Sequence, residues 1–253
     1  MYKTRFPFFL AVLSLCSLLA FTQLPGRITV YLIGDSTMSI KQVKAYPEAG
    51  WGMPFVHFFN ESVTVDNRAM NGRSTKSFIE ENRWQPVADN LKEGDYVFIQ
   101  FGHNDEVKTK KTYATEAEYR ANLIRFITES RDKKAIPVLL TPVARRQFNE
   151  AGIIQETHEV YAAIVRAVAN EYKTPFIDLD RQSQQLYQSL GMENSKLLFL
   201  HLAPDEHPNY PEGKVDNTHF NELGARKVAE LVLANIKTLK LELADRIVKK
   251  EVK

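Results

Sequence analysis

Short apolar runs recur along the chain, with segments of helical periodicity between them. The first run, at residues 28–33, is rich in β-branched and aromatic residues and stops at Gly34. A continuous apolar run of this length predicts a strand that is buried on both faces of a sheet. Similar runs occur further along the chain, at residues 63–65, 96–101, 136–141 and 176–179.

The segments between these runs carry apolar residues at helical spacing. Thr115 and Glu118 have the spacing of a capping box, and apolar residues on one helical face follow them. The same periodicity recurs at 161–172, and a last helix is predicted to begin near Asn221. Strands that alternate with helices of this length form right-handed βαβ units. We therefore predict an α/β fold with three layers, in which helices cover both faces of a five-stranded parallel sheet of flavodoxin-like order.

The N-terminal residues follow a different pattern. Lys3 and Arg5 precede an apolar run at 6–21, which polar and small residues follow. This arrangement is typical of a secretory signal peptide, so we expect 1–22 to be removed and 23–253 to form one domain. The mature protein would then be secreted or periplasmic. The alternative is a membrane anchor, since the run approaches the ~20 residues that span a bilayer.

Removal of the predicted signal peptide changes the charge and the cysteine content. The chain has 33 basic and 31 acidic residues, and two basic residues leave with the signal peptide, so the remainder is neutral. The only cysteine, Cys16, leaves too, and the bulky Leu15 before it disfavours a lipoprotein site. The exported protein would therefore have no disulfide and no cysteine nucleophile. Its neutral charge indicates neither nucleic-acid binding nor stable membrane association, and the sequence does not define an oligomeric state.

Polar segments follow directly after three of the predicted strands. They contain Ser36 after the first strand, Gly72 after the second and Asn104 after the third. The carboxyl ends of parallel strands lie at one edge of the sheet, where ligands bind in such folds. A serine there can expose its hydroxyl, a glycine lets a backbone N–H approach a ligand, and an asparagine offers an amide donor. Taken alone, each segment also fits a helix cap or a plain turn.

A fourth polar segment, with Asp216 and His219, lies just ahead of the predicted last helix. A serine nucleophile needs a histidine base, and that histidine needs a carboxylate to hold its other ring nitrogen. An isolated pair with this spacing is more often a surface pair, but the four segments together supply a nucleophile, a base, an orienting acid and oxyanion donors. We expect all four at one edge of one sheet. The chain has no Gly-x-Ser-x-Gly elbow, which disfavours an α/β-hydrolase of the lipase type.

These segments resemble the four motif blocks of the SGNH, or GDSL-like, hydrolase superfamily. The blocks are, in chain order, Gly34-Asp35-Ser36, Gly72, Gly102-x-Asn104-Asp105 and Asp216-x-x-His219. The resemblance implies a flavodoxin-like three-layer fold. It also implies that Ser36 is the nucleophile, His219 the base and Asp216 its orienting acid, while Ser36, Gly72 and Asn104 form the oxyanion hole.

Longer stretches are similar to one branch of that superfamily, the rhamnogalacturonan acetylesterases. These stretches are 67–74, 102–105, 216–221 and Gly50-Trp51-Gly52. Thr37 stands where many GDSL enzymes have leucine, but this branch accepts threonine. The resemblance implies a serine esterase that removes acetyl groups from pectin and needs no metal or other cofactor.

The alternatives are a lipase, thioesterase or lysophospholipase on the same scaffold, and a non-catalytic carbohydrate-binding protein. The acyl hydrolases would need an apolar acyl slot, whereas the motif loops here are polar. The intact set of candidate catalytic residues disfavours a non-catalytic protein. Three residues of a proline-rich stretch could be taken for metal ligands, but their spacing is irregular and we predict no metal site there; they are His201, Asp205 and His207.

Five further residues near the motifs are candidates for substrate contacts. Two interpretations fit Trp51 equally well: a platform for a sugar ring, or a core aromatic. His103 follows the third strand. It is a candidate for a substrate contact or for support of the neighbouring residues. Arg73, Arg145 and Arg146 could contact the carboxylates of a pectic chain, because a guanidinium suits bidentate binding of a carboxylate. The alternative for these arginines is a solvated basic surface or pairing with nearby acidic residues.

Overall fold

The computed structural model describes residues 26–249, so the predicted signal peptide at 1–22 lies outside the described residues. The described strands are β1 (Ile28–Gly34), β2 (Glu48–Ala49), β3 (Val63–Asn67), β4 (Tyr96–Gln100), β5 (Ile136–Leu140), β6 (Phe176–Ile177), β7 (Phe199–Leu202) and β8 (Lys214–Asn221). The described α-helices are α1 (Gly52–Phe55), α2 (Thr75–Glu80), α3 (Gln85–Asn90), α4 (Glu116–Asp132), α5 (Glu159–Glu171), α6 (Leu179–Asn194) and α7 (Glu222–Thr238).

Five strands form a parallel sheet in the order β3-β1-β4-β5-β6. In this order β1 lies between β3 and β4, as the first strand does in flavodoxin-like folds, and the predicted five-stranded parallel sheet is confirmed. The strands coincide with the apolar runs because alternate side chains enter two separate cores. Leu32 faces the core that α1, α6 and α7 cover, whereas Ile33 faces the core of α2, α3, α4 and α5. Helices therefore lie on both faces of the sheet, as the alternating pattern predicts.

Two helix starts follow the sequence signals closely. The N–H of Glu118 donates to Thr115 Oγ1 over 3.2 Å, and Glu118 Oε2 accepts the N–H of Thr115 over 2.8 Å. This reciprocal pair caps α4 and confirms the capping box. At α7, the side-chain oxygen of Asn221 accepts the N–H of Gly224 over 3.0 Å, so the last helix begins where it was expected.

A second, antiparallel sheet has the order β2-β8-β7, and the sequence did not predict it. Phe220 of β8 lies opposite Ala49 of β2 and Phe199 of β7. It is the one fully buried residue of β8, whose other positions are polar or exposed. Because β8 lacks a clear alternation of apolar residues and β2 has only two residues, neither shows the pattern of a strand. In the part of the chain described here, none of the helices is long and apolar enough to span a bilayer.

Candidate active site

Ser36 lies directly beyond the carboxyl end of β1, in a tight turn. The N–H groups of Met38 and Ser39 both donate to the carbonyl oxygen of Asp35. The Asp35 carboxylate accepts from the N–H of Thr37 over 2.9 Å and from its hydroxyl over 2.8 Å, so the side chain holds the turn from within the core. No α-helix begins at this turn.

The hydroxyl of Ser36 meets the imidazole of His219. Ser36 Oγ lies 3.0 Å from His219 Nε2, and His219 Nδ1 lies 2.8 Å from Asp216 Oδ2. Burial raises the pKa of Asp216, but the side-chain and backbone hydrogen bonds from His219 outweigh it and hold that pKa well below its usual range. Asp216 is thus a carboxylate at neutral pH, and it can hold the imidazole with Nε2 directed at the serine.

The Asp216–His219 pair is built on the second sheet rather than the first. Both residues lie on β8, where Asp216 Oδ1 accepts the N–H of Thr218 over 2.8 Å and that of His219 over 2.9 Å. The expectation that all four motif segments meet at one edge of one sheet is therefore wrong for the fourth segment. The first three segments do follow β1, β3 and β4 of the parallel sheet.

A hydrogen bond links the candidate donor Asn104 to the loop that carries Gly72. Gly72 has a φ of 76°, a left-handed conformation that glycine adopts without strain. Asn104 Nδ2 donates to the carbonyl of Arg73 over 3.0 Å, and Lys110 Nζ donates to Asn104 Oδ1 over 2.9 Å. The side chain of Asn104 therefore lies beside the Gly72 turn, and Lys110 fixes which way its amide points.

The buried carboxylate of Asp105, next to Asn104 in the chain, stabilises the loop after β4. Asp105 Oδ1 accepts from the N–H of Thr75 over 2.8 Å and from its hydroxyl over 2.6 Å. Burial, opposed by the hydrogen bonds from Thr75 and assisted by the nearby charge of Asp35, raises the pKa of Asp105 to about 7. Asp105 thus joins the loop after β4 to the start of α2.

His103 lies in the interior rather than on the substrate side. It is 4% exposed, and its ring meets that of His158 edge to face at 4.4 Å between centroids. Burial, and then the charge of His158, hold the pKa of His103 well below its ordinary value, so the imidazole is neutral. The structure favours the supporting role for His103 over a substrate contact.

Trp51 belongs to the core, which corrects its interpretation as a sugar platform. The side chain is 0% exposed, and its Nε1 donates to Gln100 Oε1 over 2.6 Å. Its backbone N–H donates to the carbonyl of Thr37 over 2.8 Å, and Gln100 Nε2 reaches the Thr37 hydroxyl over 3.3 Å. Trp51 therefore supports the turn that holds Ser36. The flanking Gly50 allows this close approach, because a Cβ there would lie 2.2 Å from the carbonyl oxygen of Ser39.

Arg146 is likewise a structural residue rather than a free carboxylate-binding group. It is 8% exposed, and its Nε donates to Ser195 Oγ over 2.9 Å. Nη1 donates to Asn217 Oδ1 over 2.9 Å, Nη2 donates to the carbonyl of Met192, and the backbone N–H donates to the carbonyl of Asn217. The guanidinium is thus engaged with neutral oxygens, and it connects the loop after β5 to β8.

The other two candidate arginines are ion-paired within the protein. Arg145 Nη1 lies 2.7 Å from Glu106 Oε1, and Arg73 Nε lies 2.9 Å from Glu81 Oε2. Their side chains are 28% and 32% exposed, so both remain reachable from solvent. Pairing with acidic residues, one of the alternatives, is therefore observed for both. The acidic partners are Glu106 for Arg145 and Glu81 for Arg73.

Two lysines of the site carry no signal in the sequence. Lys41 and Lys110 contact the candidate oxyanion segments, yet lysine is normally a surface residue, and no motif or periodicity marks these two positions.

His201, which was considered as a metal ligand, lies on β7 with its Nε2 2.9 Å from Asn217 Oδ1. Within residues 26–249, no group of three or more histidine, cysteine or acidic side chains is arranged to hold a metal ion.

Comparison with known proteins identifies relatives along most of the chain. A rhamnogalacturonan acetylesterase of Bacillus subtilis (strain 168) is 45% identical over 225 residues, which cover 88% of this chain and 96% of the relative. The crystal structure of the Bacillus subtilis protein YxiM superimposes with a TM-score of 0.74 at 28% identity over 85% of this chain, which spans 58% of that protein's chain. An acetylxylan esterase of Geobacillus stearothermophilus superimposes with a TM-score of 0.59 over 83% of this chain and 95% of its own; at 18% identity it shares the fold alone.

The sequence profile of the GDSL-like Lipase/Acylhydrolase family matches residues 32–227. This range includes the turn of Ser36, the Gly72 and Asn104 segments and the Asp216–His219 pair. Together with the five-stranded parallel sheet and the relative at 45% identity, it confirms the resemblance in the motif blocks. The chain belongs to the GDSL-like lipase/acylhydrolase family.

Proposed function

We propose that this protein is a serine esterase that releases acetate from acetylated plant cell-wall polysaccharide, with the rhamnogalacturonan of pectin as its substrate. The observation that carries the proposal is the chain of contacts from Ser36 Oγ to His219 Nε2 at 3.0 Å and from His219 Nδ1 to Asp216 Oδ2 at 2.8 Å. A nucleophile, a base and an orienting acid within hydrogen-bond reach of one another are the arrangement that acyl transfer requires.

In the first half of the reaction, Ser36 Oγ attacks the acetyl carbonyl while His219 Nε2 takes the hydroxyl proton. The carbonyl oxygen becomes an oxyanion, and the N–H groups of Ser36 and Gly72 and the amide of Asn104 donate to it. His219 then gives its proton to the sugar oxygen as the bond between that oxygen and the acetyl carbon breaks. The products of this half are a free sugar hydroxyl and an acetyl ester on Ser36.

The second half repeats these steps with water. His219 takes a proton from the water molecule, whose oxygen attacks the acetyl ester, and the same donors receive the oxyanion. Collapse returns the proton to Ser36 Oγ and releases acetate. Asp216 stays ionised throughout and stabilises the imidazolium form of His219.

The substrate class is supported by the relatives and by the polarity of the site. The 45% identical relative is a rhamnogalacturonan acetylesterase, and the acetylxylan esterase with the same fold also acts on an acetylated carbohydrate. The motif loops carry polar residues that contact one another and Ser39, namely Asn71, Asn104 and the paired Arg73. A lipase would instead need an apolar slot for a long acyl chain. The predicted signal peptide fits an exported protein, either secreted or periplasmic, whose residues 23–253 form a single esterase domain.

A panel of substrates tests the proposal. Acetate release should be measured from acetylated pectins, xylans and mannans, and we expect the fastest release from the rhamnogalacturonan-rich pectin. An aryl acetate compared with the matching aryl octanoate separates an acetylesterase from a lipase or thioesterase. A fluorophosphonate should label the wild type but not Ser36→Ala. Preference for the octanoate, or no acetate from any polysaccharide, would refute the proposed substrate. Absence of labelling in the wild type would refute the serine esterase mechanism.

A further inference from the structure

A lysine ammonium is buried beside the candidate nucleophile. The side chain of Lys41 is 0% exposed, and its Nζ donates to the carbonyl oxygen of Ser36 over 2.6 Å and to Asn71 Oδ1 over 2.9 Å. It also lies 2.7 Å from Glu48 Oε1. An ammonium has three N–H donors, and each of the three has a partner here. Lysine is seldom buried so completely unless its charge is paired.

Two of these partners belong to the segments that would supply the backbone oxyanion donors. Ser36 carries one donor itself, and Asn71 immediately precedes Gly72, which carries the other. The parallel pairing of β1 and β3 continues only as far as the bond from the N–H of Met70 to the carbonyl of Gly34. Beyond that point Lys41 and Ser39 link the two loops, and Ser39 Oγ lies 2.5 Å from Asn71 Oδ1.

The third partner connects this junction to the second sheet. Glu48 lies on β2, where it is paired in register with Asn221 of β8, the strand of Asp216 and His219. Lys41 thus contacts the nucleophile turn and the Gly72 loop directly, and through Glu48 it is tied to the strand of the histidine base. Burial lowers the pKa of Lys41, and the hydrogen bond and charge of Glu48 oppose that shift.

We propose that Lys41 is a positioning residue that fixes the spacing of the Ser36 and Gly72 N–H groups in the oxyanion hole. This inference rests on the proposed serine esterase chemistry. Donors stabilise an oxyanion only when they are held in place before the reaction, and a displacement of about 1 Å can cost about 10²-fold in rate. Lys41 does not touch the substrate. It acts through two backbone segments that no strand pairing joins.

The test uses a double variant, because Lys41→Met alone would leave Glu48 buried without its partner and would destabilise the fold. Lys41→Met with Glu48→Gln removes both charges and keeps the side-chain lengths. For an aryl acetate we expect kcat to fall about 10- to 100-fold with KM within about twofold of the wild type. Lys227→Met is the matched control, because that lysine pairs with Glu230 on the exposed side of α7, and we expect no change in kcat there.

A second readout separates positioning from loss of stability. A small boronic acid forms a tetrahedral adduct with the serine whose oxygen occupies the oxyanion hole, so its inhibition constant should rise by a factor similar to the fall in kcat. Thermal unfolding followed by circular dichroism shows that assays are made on folded protein. Unchanged kcat and unchanged boronate affinity in the folded double variant would overturn the role of Lys41. A wild type that is inactive on every aryl ester would overturn the proposed function and this inference with it, whereas failure on polysaccharide alone leaves the aryl ester test valid.

Discussion

The two sheets of this protein differ in almost every physical respect, yet the candidate active site needs both. The parallel sheet is buried on both faces, and its strands end at Ser36, at the Gly72 loop and at Asn104. The antiparallel sheet is small, and its strand β8 buries little besides Phe220 while it carries Asp216 and His219. The comparison teaches that the nucleophile and the oxyanion donors are anchored in the core, while the base is delivered by a peripheral element.

The pKa values of one carboxylate in each region are also shifted in opposite directions. On the parallel-sheet side, burial raises the pKa of Asp105 to about 7. On the antiparallel side, the hydrogen bonds from His219 overcome the effect of burial and keep the pKa of Asp216 well below its usual range. A buried carboxylate that only supports the fold thus holds a proton easily, whereas the carboxylate beside the base stays ionised.

Removing one residue from each sheet should give the largest effect. Ser36→Ala and His219→Ala should each lower kcat by about 10⁴- to 10⁶-fold, and the double variant should be little worse than either, because the two act as one unit. The measurement is the hydrolysis of an aryl acetate by protein whose folding has been checked. If the two losses multiplied in the double variant, the two sheets would be acting independently, and the joint site would be refuted.

The amide donor of the parallel sheet should give the next largest effect. Asn104→Ala should reduce kcat about 10²- to 10³-fold with little change in KM, because its donor acts mainly in the transition state. Asn90→Ala is a fitting control, since the amide of Asn90 contacts only the carbonyl of Pro86 near the surface. A loss confined to KM would instead make Asn104 a residue that positions the substrate.

The connection between the sheets can be weakened without changing the candidate triad or the candidate oxyanion donors. Arg146→Gln removes the guanidinium bonds to Asn217 and Met192. We expect a loss of about 1–3 kcal/mol in the free energy of unfolding and a fall in kcat of less than about tenfold, with KM for pectic oligomers unchanged. Arg120→Gln, which breaks an exposed pair with Glu171, should cost under about 1 kcal/mol. A large rise in KM on pectic oligomers alone would restore Arg146 as a carboxylate-binding residue.

The smallest effects, on pH dependence, should separate the two carboxylates. Because the folded pKa of Asp105 is raised above the ordinary value of 3.8, its contribution to stability is full below about pH 4 and is lost as the pH rises through about 7. Asp105→Asn should therefore remove a decline of at most about 1.4 kcal/mol per pH unit over that window. The folded pKa of Asp216 is lowered, so its contribution is present above its ordinary pKa and is lost as the pH falls below it. Melting temperatures of Asp105→Asn and Asp216→Asn, measured from pH 2 to 8, should thus diverge from the wild type at opposite ends of this range, and parallel curves would contradict this.

The parallel sheet could be predicted from the sequence because each of its strands is a local apolar run. The motif residues at the ends of those strands were predictable for the same reason, since topology alone brings strand ends together. The placement of β8 was not, because its polar residues hide its strand character and its partners lie far away in the sequence. The alternatives for Trp51 and Arg146 could not be decided from the sequence for a related reason. Their decisive partners, Gln100 and Asn217, lie 49 and 71 positions away.

The exposed loop at 203–213 separates the candidate nucleophile and oxyanion donors from the candidate base along the sequence. The residues before it include Ser36, Gly72 and Asn104, and those after it include Asp216 and His219. A single backbone break in this loop would partition the chemistry into two fragments, each unable to hydrolyse an ester. Hydrolysis would return only when β7 and β8 paired again and α7 packed back onto the sheet. Two fragments made by such a break would therefore serve as a complementation pair, in which restored activity reports that the fragments have associated.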